Sequence, residues 1–404
     1  MVRDPGRAVV ADQPTTLTDS APSAGVPAAA SRLIALLVIL SVLSTAFVTL
    51  APAFVGAFTD VLGFTPELAG LTVSAQLAGS GLGVMIVLLG WRDAPPPVAV
   101  MAAVAAMAAC DLGSAFVTSA HALIGLRAIA GVPAGIALAA VNAAVARTPG
   151  ATRLFAVVTG AQMLFGAVGY LAWPLLLRNL GLGGTFAALG ACALAILPLA
   201  PSYPAVKTVG AQPTAGAVTT GLSGGLLLGS LLTEYVANSA IWTYLDRIGI
   251  DANLASDTVA FALAASMGGG LAGSFAAMVL QSAARIRRAL IAGLALLALG
   301  SALLLWSAHA PVYVGVVVVF TGAMMFVLPL YLSWLSTLPG GQRLAVIAGF
   351  LIYAGLALGP LVGSQVVAFA GYRPLIVGAA LAFVAATGLA ALARPLAATP
   401  TPNH

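Results

Sequence analysis

The chain has 404 residues, 61% of them hydrophobic and only 7% charged, whereas a water-soluble domain carries about 25% charged residues. That deficit excludes a soluble globular protein and leaves the lipid bilayer as the solvent that suits such a surface. The net charge of +5 comes from basic residues scattered singly, which excludes the clustered basic face of a nucleic-acid binder.

Residues 1–31 mix a few charges with prolines, threonines and alanines, a composition expected to stay a disordered cytoplasmic tail. Arg32 opens the first apolar run, Leu33–Gly56, which is longer and later than a cleaved signal peptide and long enough to span. Five more spans are predicted at Leu68–Leu89, Pro97–Thr118, Ala122–Val145, Leu154–Leu177 and Gly181–Leu199. Together they make a six-helix half over 32–200. Residues 201–222, rich in proline, glycine and hydroxyl side chains and holding the only lysine, Lys207, read as a cytoplasmic linker.

The second half, 223–393, is predicted to cross at Gly224–Leu245, Val259–Leu280, Ala289–Ser307, Val312–Leu335, Leu344–Ala370 and Pro374–Leu392, followed by a cytoplasmic tail at 394–404. Each run is near the ~20 residues a helix needs to cross the hydrocarbon core. Barrel strands would be half as long and would alternate. The expected fold is therefore an all-α membrane protein of twelve transmembrane helices in two six-helix halves. Twelve of the sixteen basic residues fall on the side of the termini, three (Arg178, Arg247 and Arg373) on the other, and Arg127 within a span. This bias places both termini in the cytoplasm.

The halves echo each other. Gly79 and Gly83 recur as Gly269 and Gly273, and Arg153-Leu154 as Arg343-Leu344, 190 residues later; Gly160 and Gly166 recur as Gly349 and Gly355 at 189. Parallel duplication with a site between the halves is a transporter architecture.

With that layout and long central loop, the fourth span reads Leu126-Arg127-Ala128-Ile129-Ala130-Gly131-Val132-Pro133-Ala134-Gly135, an arginine followed by spaced glycines. From Leu33 to Leu392 the chain resembles the major facilitator superfamily of secondary transporters. The loop motifs are eroded: the second loop is only Gly90-Trp91-Arg92-Asp93 before three prolines, and the Gly-Pro-x-x-Gly pattern appears at Gly359–Gly363 instead of in the fifth span.

Three charges sit well inside spans: Asp111, Arg127 and Glu234. Each costs about 2.5–3.5 kcal/mol there and so needs a reason to exist. Asp111 lies seven residues before Thr118 and Arg127 six after His121, so antiparallel neighbours bring them to one depth and they are expected to pair. The pair is either a helix-to-helix clamp or a cavity group in which Arg127 modulates a proton or anion site. Glu234 has no basic partner at its depth. It is either hydrogen-bonded to a neighbouring helix or suited to exchanging protons or binding a cation. Asn238 and Trp242 follow at i+4 and i+8, and the three are expected to face a cavity on one stripe.

Gln162 and Tyr170 of the fifth span are further cavity candidates, and Met324, Met325 and Phe326 read either as adaptable lining or as core. Cys110 and Cys192 lie in apolar runs without pairing or ligand spacing and read as small buried hydrophobes. Lys207 lacks a nucleotide-binding loop around it, and His121, His309 and His404 are isolated. No catalytic site, metal or cofactor is therefore expected.

The expected activity is secondary transport by alternating access: proton-coupled efflux of an amphipathic neutral or cationic compound through a monomer in a bacterial inner membrane. The alternatives are uptake of a small organic anion held by Arg127, and a non-transporting receptor or membrane-embedded enzyme.

Overall fold

The computed structural model describes residues 28–91, 94–148, 150–204, 221–279 and 283–393. The N-terminal tail up to residue 27, the linker around Lys207, Arg92 and Asp93, and the C-terminal tail lie outside the described residues. All regular secondary structure among the described residues is helical.

The first crossing is two helices, α1 (Ala28–Thr49) and α2 (Ala51–Asp60), so residues 28–31, read as the end of the tail, are already helical. Pro52 carries no N–H, which deprives the Val48 carbonyl four residues earlier of its helical donor. Leu50, at φ −96° and ψ 14°, takes up the break. Helix α3 (Pro66–Gly90) starts under a Thr65 cap, whose hydroxyl accepts from the Leu68 N–H at 3.3 Å, with Pro66 in the first turn, where its missing N–H costs nothing. Then come α4 (Pro97–Ser114), α5 (Ala120–Ala146) and α6 (Ala151–Ile196), which ends in a 3₁₀ turn, Leu197–Ser202. Helix α6 contains both the fifth and sixth crossings, divided by a kink at Gly181. The second half contributes α7 (Leu222–Asp251), α8 (Ser256–Met278), α9 (Ala283–Leu303), α10 (Ala310–Ser336), α11 (Gly341–Ala370) and α12 (Tyr372–Leu392).

Among the described residues twelve crossings thus occur, six in each half. Among the described residues, ten helical stretches are long and apolar enough to cross a membrane, with α6 counted once for its two crossings. Helix α7 is not among them. Its Glu234, Asn238, Ser239 and Thr243 lower its hydropathy, and all four are buried inside the bundle. Leu164, Val168, Leu171 and Leu381, in contrast, are more than half exposed mid-helix, which only a lipid surround makes tolerable. The protein is an integral membrane protein. Cys192 also lies on this outer surface, contrary to the expectation of burial, whereas Cys110 is buried.

The duplication is written into the backbone. Six described residues have positive φ: Gly63, Gly150, Gly181, Asn253, Gly340 and Gly371. They form three pairs 190 residues apart, Gly63 with Asn253, Gly150 with Gly340 and Gly181 with Gly371. Gly150 and Gly340 cap α6 and α11 at φ 78° and 75°, a left-handed turn that glycine adopts freely. Because the register is 190 at both ends of the α6 and α11 segments, the 189-residue glycine matches are coincidental. Gly169 and Gly359 are the positions that correspond there.

The paired glycines of α3 and α8 repeat the same packing. A Cβ on Gly79 or Gly83 would collide with the carbonyl oxygens of Ala128 and Val132 on α5. On Gly269 or Gly273 it would collide with those of Val318 and Gly322 on α10, again 190 residues on. The missing side chains let the two backbones of each pair touch.

Candidate functional site

The end of the bundle that carries Ala28 and Leu392 is the terminal end, and the end that carries Asp60, Gly181 and Ala370 is the far end. Midway between them a cavity of about 290 Å³ lies between the halves. The first half contributes Thr45, Val48 and Thr49 at the break in α1, Val73 and Leu77 of α3, and Gln162 and Met163 of α6. The second contributes Asn238, Ser239 and Trp242 of α7, with residues of α8, α10 and α11. The lining is mostly apolar and no charged side chain belongs to it among the described residues.

The site follows from helix breaks. The Val48 carbonyl, freed by Pro52, accepts from Trp242 Nε1 at 3.3 Å. Pro360 likewise leaves the Leu356 carbonyl without its helical donor, and Ser239 Oγ donates to that oxygen at 2.7 Å. Polar side chains on α7 thus complete the backbone of both neighbours, α1 and α11.

The stripe expected on α7 divides. Asn238 and Trp242 line the cavity, but Glu234 does not. It sits one turn nearer the terminal end, 1% exposed, where its Oε1 accepts from Asn238 Nδ2 at 3.0 Å. Its Oε2 and Asn238 Oδ1 are both buried without a partner. Rotation decides this: the wall takes Tyr235, Asn238, Ser239 and Trp242 of α7, which leaves Glu234 at the edge of that face.

Asp111 and Arg127 do pair, at 2.8 Å. Arg127 is 1% exposed and also donates to the Cys110 carbonyl at 2.9 Å and to Ser114 Oγ at 2.6 Å. The rings of Phe47 and Phe186 lie 5.5 and 5.0 Å from its guanidinium carbon. The pair borders a separate void of about 20 Å³ beside Gln76 and is not part of the central cavity. Ser301 and Val317 stand at the equivalent positions of the second half, so this ionic link belongs to one half alone. Tyr170 also lies outside the cavity wall, correcting its assignment there. It is buried, and its hydroxyl donates to the Thr49 carbonyl at 2.7 Å. Gln162 is in the wall, with its amide nitrogen 3.4 Å from the Ser41 carbonyl.

Beyond the cavity, toward the far end, the halves are tied together. Tyr244 Oη donates to the Pro66 carbonyl at 2.8 Å, Gln365 Nε2 to Glu67 at 3.1 Å, and Arg247 to both oxygens of Asp60 at 2.7 and 3.0 Å. At the terminal end a second space of about 500 Å³ opens between the first turns of α6 and the last turns of α8 and α10.

No protein-family model matches the chain, and no curated protein matches it. Solved structures do. The human organic anion transporter MFSD10 (TETRAN) superposes with a TM-score of 0.63 at 18% identity, over 90% of this chain and 100% of its own. A mutant of the nucleoside transporter NupG gives a TM-score of 0.68 at 12% identity, over 89% of this chain and 98% of its own. This is the major facilitator fold.

Within that fold the cavity lies between the two halves, where the duplicated architecture puts it. Met163 and Met267 were missed from sequence; with Met324 and Met325 they bring four thioethers to the wall. No signal marked them, because their helices are apolar on every side and carry no stripe that distinguishes the inward face. Phe326 packs against the core instead.

Proposed function

We propose that this protein is a secondary transporter of a small organic molecule, working by alternating access, with the central cavity as its substrate site. The observation that carries the reading is a mid-membrane cavity walled by both halves, which are tied together at the far end and leave a second space between them at the terminal end. On the positive-inside bias the terminal end faces the cytoplasm of a bacterial inner membrane. The conformation is then the inward-facing one.

The largely apolar wall with four methionines and Trp242 suits an amphipathic compound, neutral or cationic, moved outward. Glu234 is the group we assign to proton exchange, since one of its oxygens is free of any partner and the other is linked through Asn238 to the cavity. Uptake of an organic anion has less support here, although the first of the two solved structures is named an organic anion transporter. Arg127 gives its two terminal nitrogens to Asp111, Cys110 and Ser114, keeps only Nε without a partner, and does not reach the cavity wall.

The test uses purified protein in proteoliposomes holding a pH-sensitive dye, with an imposed proton gradient and lipophilic amines or small carboxylates added. Compound-dependent proton flux that Glu234→Gln abolishes is the expected result. Flux that persists unchanged in Glu234→Gln removes the coupling assignment, and substrate flux that ignores the gradient makes the protein a facilitator.

A further inference from the structure

An ionised Glu234 holds Asn238 in one orientation. Its carboxylate can only accept hydrogen bonds, so the amide nitrogen faces it, 3.0 Å from Oε1. That turns Oδ1 away from Glu234, and it is buried without any partner. Among the described residues it is the one fully buried polar side-chain atom of the cavity wall left in that state. Asn238 itself is only 4% exposed.

Much of the surrounding polarity is already committed. A hydroxyl or an indole has a single hydrogen to give. Those of Thr45, Ser239, Thr243, Thr321 and Trp242 all go to backbone carbonyls, at 2.9, 2.7, 2.7, 2.9 and 3.3 Å. Those five side chains offer the cavity acceptor lone pairs or ring faces and no free proton. The wall's remaining donors are the Thr49, Tyr235 and Tyr353 hydroxyls and the Gln162 amide. An anion entering here would thus exchange its water for neutral groups only, with the Glu234 carboxyl close by. A group that brings its own N–H finds an acceptor waiting, with the Glu234 carboxyl one layer behind it. A buried acceptor left unmatched is costly, and a donor-bearing ligand recovers that cost.

We infer that Asn238 Oδ1 is the head-group site of the cavity, oriented by Glu234, and that it takes a protonated amine carrying at least one N–H on an apolar body. This rests on the reading of the cavity as a substrate site. It goes further by naming the recognising atom and the hydrogen it needs. Trp242 supplies an alternative attraction for any cation through its ring face, so the decisive comparison is between amines that differ only in their N–H.

The experiment is equilibrium binding to the full-length purified protein in detergent, by isothermal titration calorimetry. The probes are 2-(1-naphthyl)ethylamine, its N,N,N-trimethyl analogue and 3-(1-naphthyl)propanoate. The primary amine should bind at least about tenfold more tightly than either of the others, the ratio expected from one unmatched buried acceptor. Asn238→Leu should erase the preference for the primary over the trimethylated amine, and Asn238→Asp, which keeps an acceptor, should retain it. Both variants are checked for monodispersity and melting temperature, and the wild-type comparison stands even if one fails to fold.

Equal affinity for the primary and trimethylated amines overturns the N–H requirement in favour of charge and ring contact alone. Tighter binding of the carboxylate, or no binding of any probe to folded protein, overturns the amine class. Selective amine binding without flux in proteoliposomes would keep this inference and remove the transport reading. Flux of the amine and its trimethyl analogue at equal rate and affinity would do the reverse.

Discussion

The indole N–H of Trp242 reaches the Val48 carbonyl at 3.3 Å, the same carbonyl that Pro52 leaves without a helical donor. One half of the molecule therefore completes the backbone of the other beside the cavity. Trp242→Phe leaves that oxygen unpaired and should cost about 1–2 kcal/mol. Pro52→Ala returns an N–H to the helix, so the same Trp242 substitution should cost measurably less in that background. Melting temperatures of the two single variants and the double variant in detergent provide the cycle; strict additivity would mean that the indole contact carries no energy.

The ion pair at the far end should control opening more than stability. Arg247 is 12% exposed but Asp60 is 63% exposed, and exposed pairs contribute about 0–1 kcal/mol. Asp60→Asn is expected to leave melting nearly unchanged. In a protein with Cys110→Ala, Cys192→Ala and Thr49→Cys, it should speed labelling by a membrane-impermeant maleimide from the far side by about threefold or more. An unchanged labelling rate would assign closure to the packing of α3 on α11 without the ion pair.

Arg127 and Asp111 are expected to behave as a clamp. Arg127→Gln strands the partly buried Asp111 carboxylate and should destabilise the protein by about 3–5 kcal/mol. Asp111→Leu with Arg127→Met removes both charges and should recover most of that loss, with compound-dependent flux retained. Loss of flux in a folded double variant would restore a functional role to the pair.

The duplicated glycines predict matched damage in the two halves. Gly83→Ala drives a methyl into the Val132 carbonyl and Gly273→Ala into that of Gly322. Each should cost about 1–3 kcal/mol by overpacking. Gly160, whose added Cβ would meet nothing within 4 Å, is the control, and Gly160→Ala should leave the melting temperature unchanged or slightly higher. A large asymmetry between Gly83→Ala and Gly273→Ala would show that the repeated contacts are not energetically equivalent.

Much of the fold is legible in the linear chain because lipid imposes a simple rule. Backbone polar groups must be satisfied within each crossing, so each crossing announces itself as an apolar run of helix length. The pairing of Asp111 with Arg127 was also legible, since antiparallel neighbours fix depth by counting residues from the turns. Glu234 and Asn238 were visible as polar residues in an apolar setting. The register of the duplication was readable at Gly79, Gly83 and Arg153, while Gly160 and Gly166 misled by one residue where chance glycine matches are common.

Rotation about each helix axis was beyond the sequence. Depth along a crossing comes from counting, but the direction a side chain faces comes from which neighbours pack against it. Helices bathed in lipid are apolar all round, with no polar stripe to betray the inner side. Only the tertiary structure therefore put Gln162 and Trp242 in the cavity wall, set Tyr170 against the Thr49 carbonyl, turned Glu234 behind Asn238 and gathered methionines from three helices. The sequence by itself determined that this chain spans a membrane in two repeated halves, whereas helix packing decided which side chains meet in the space between them.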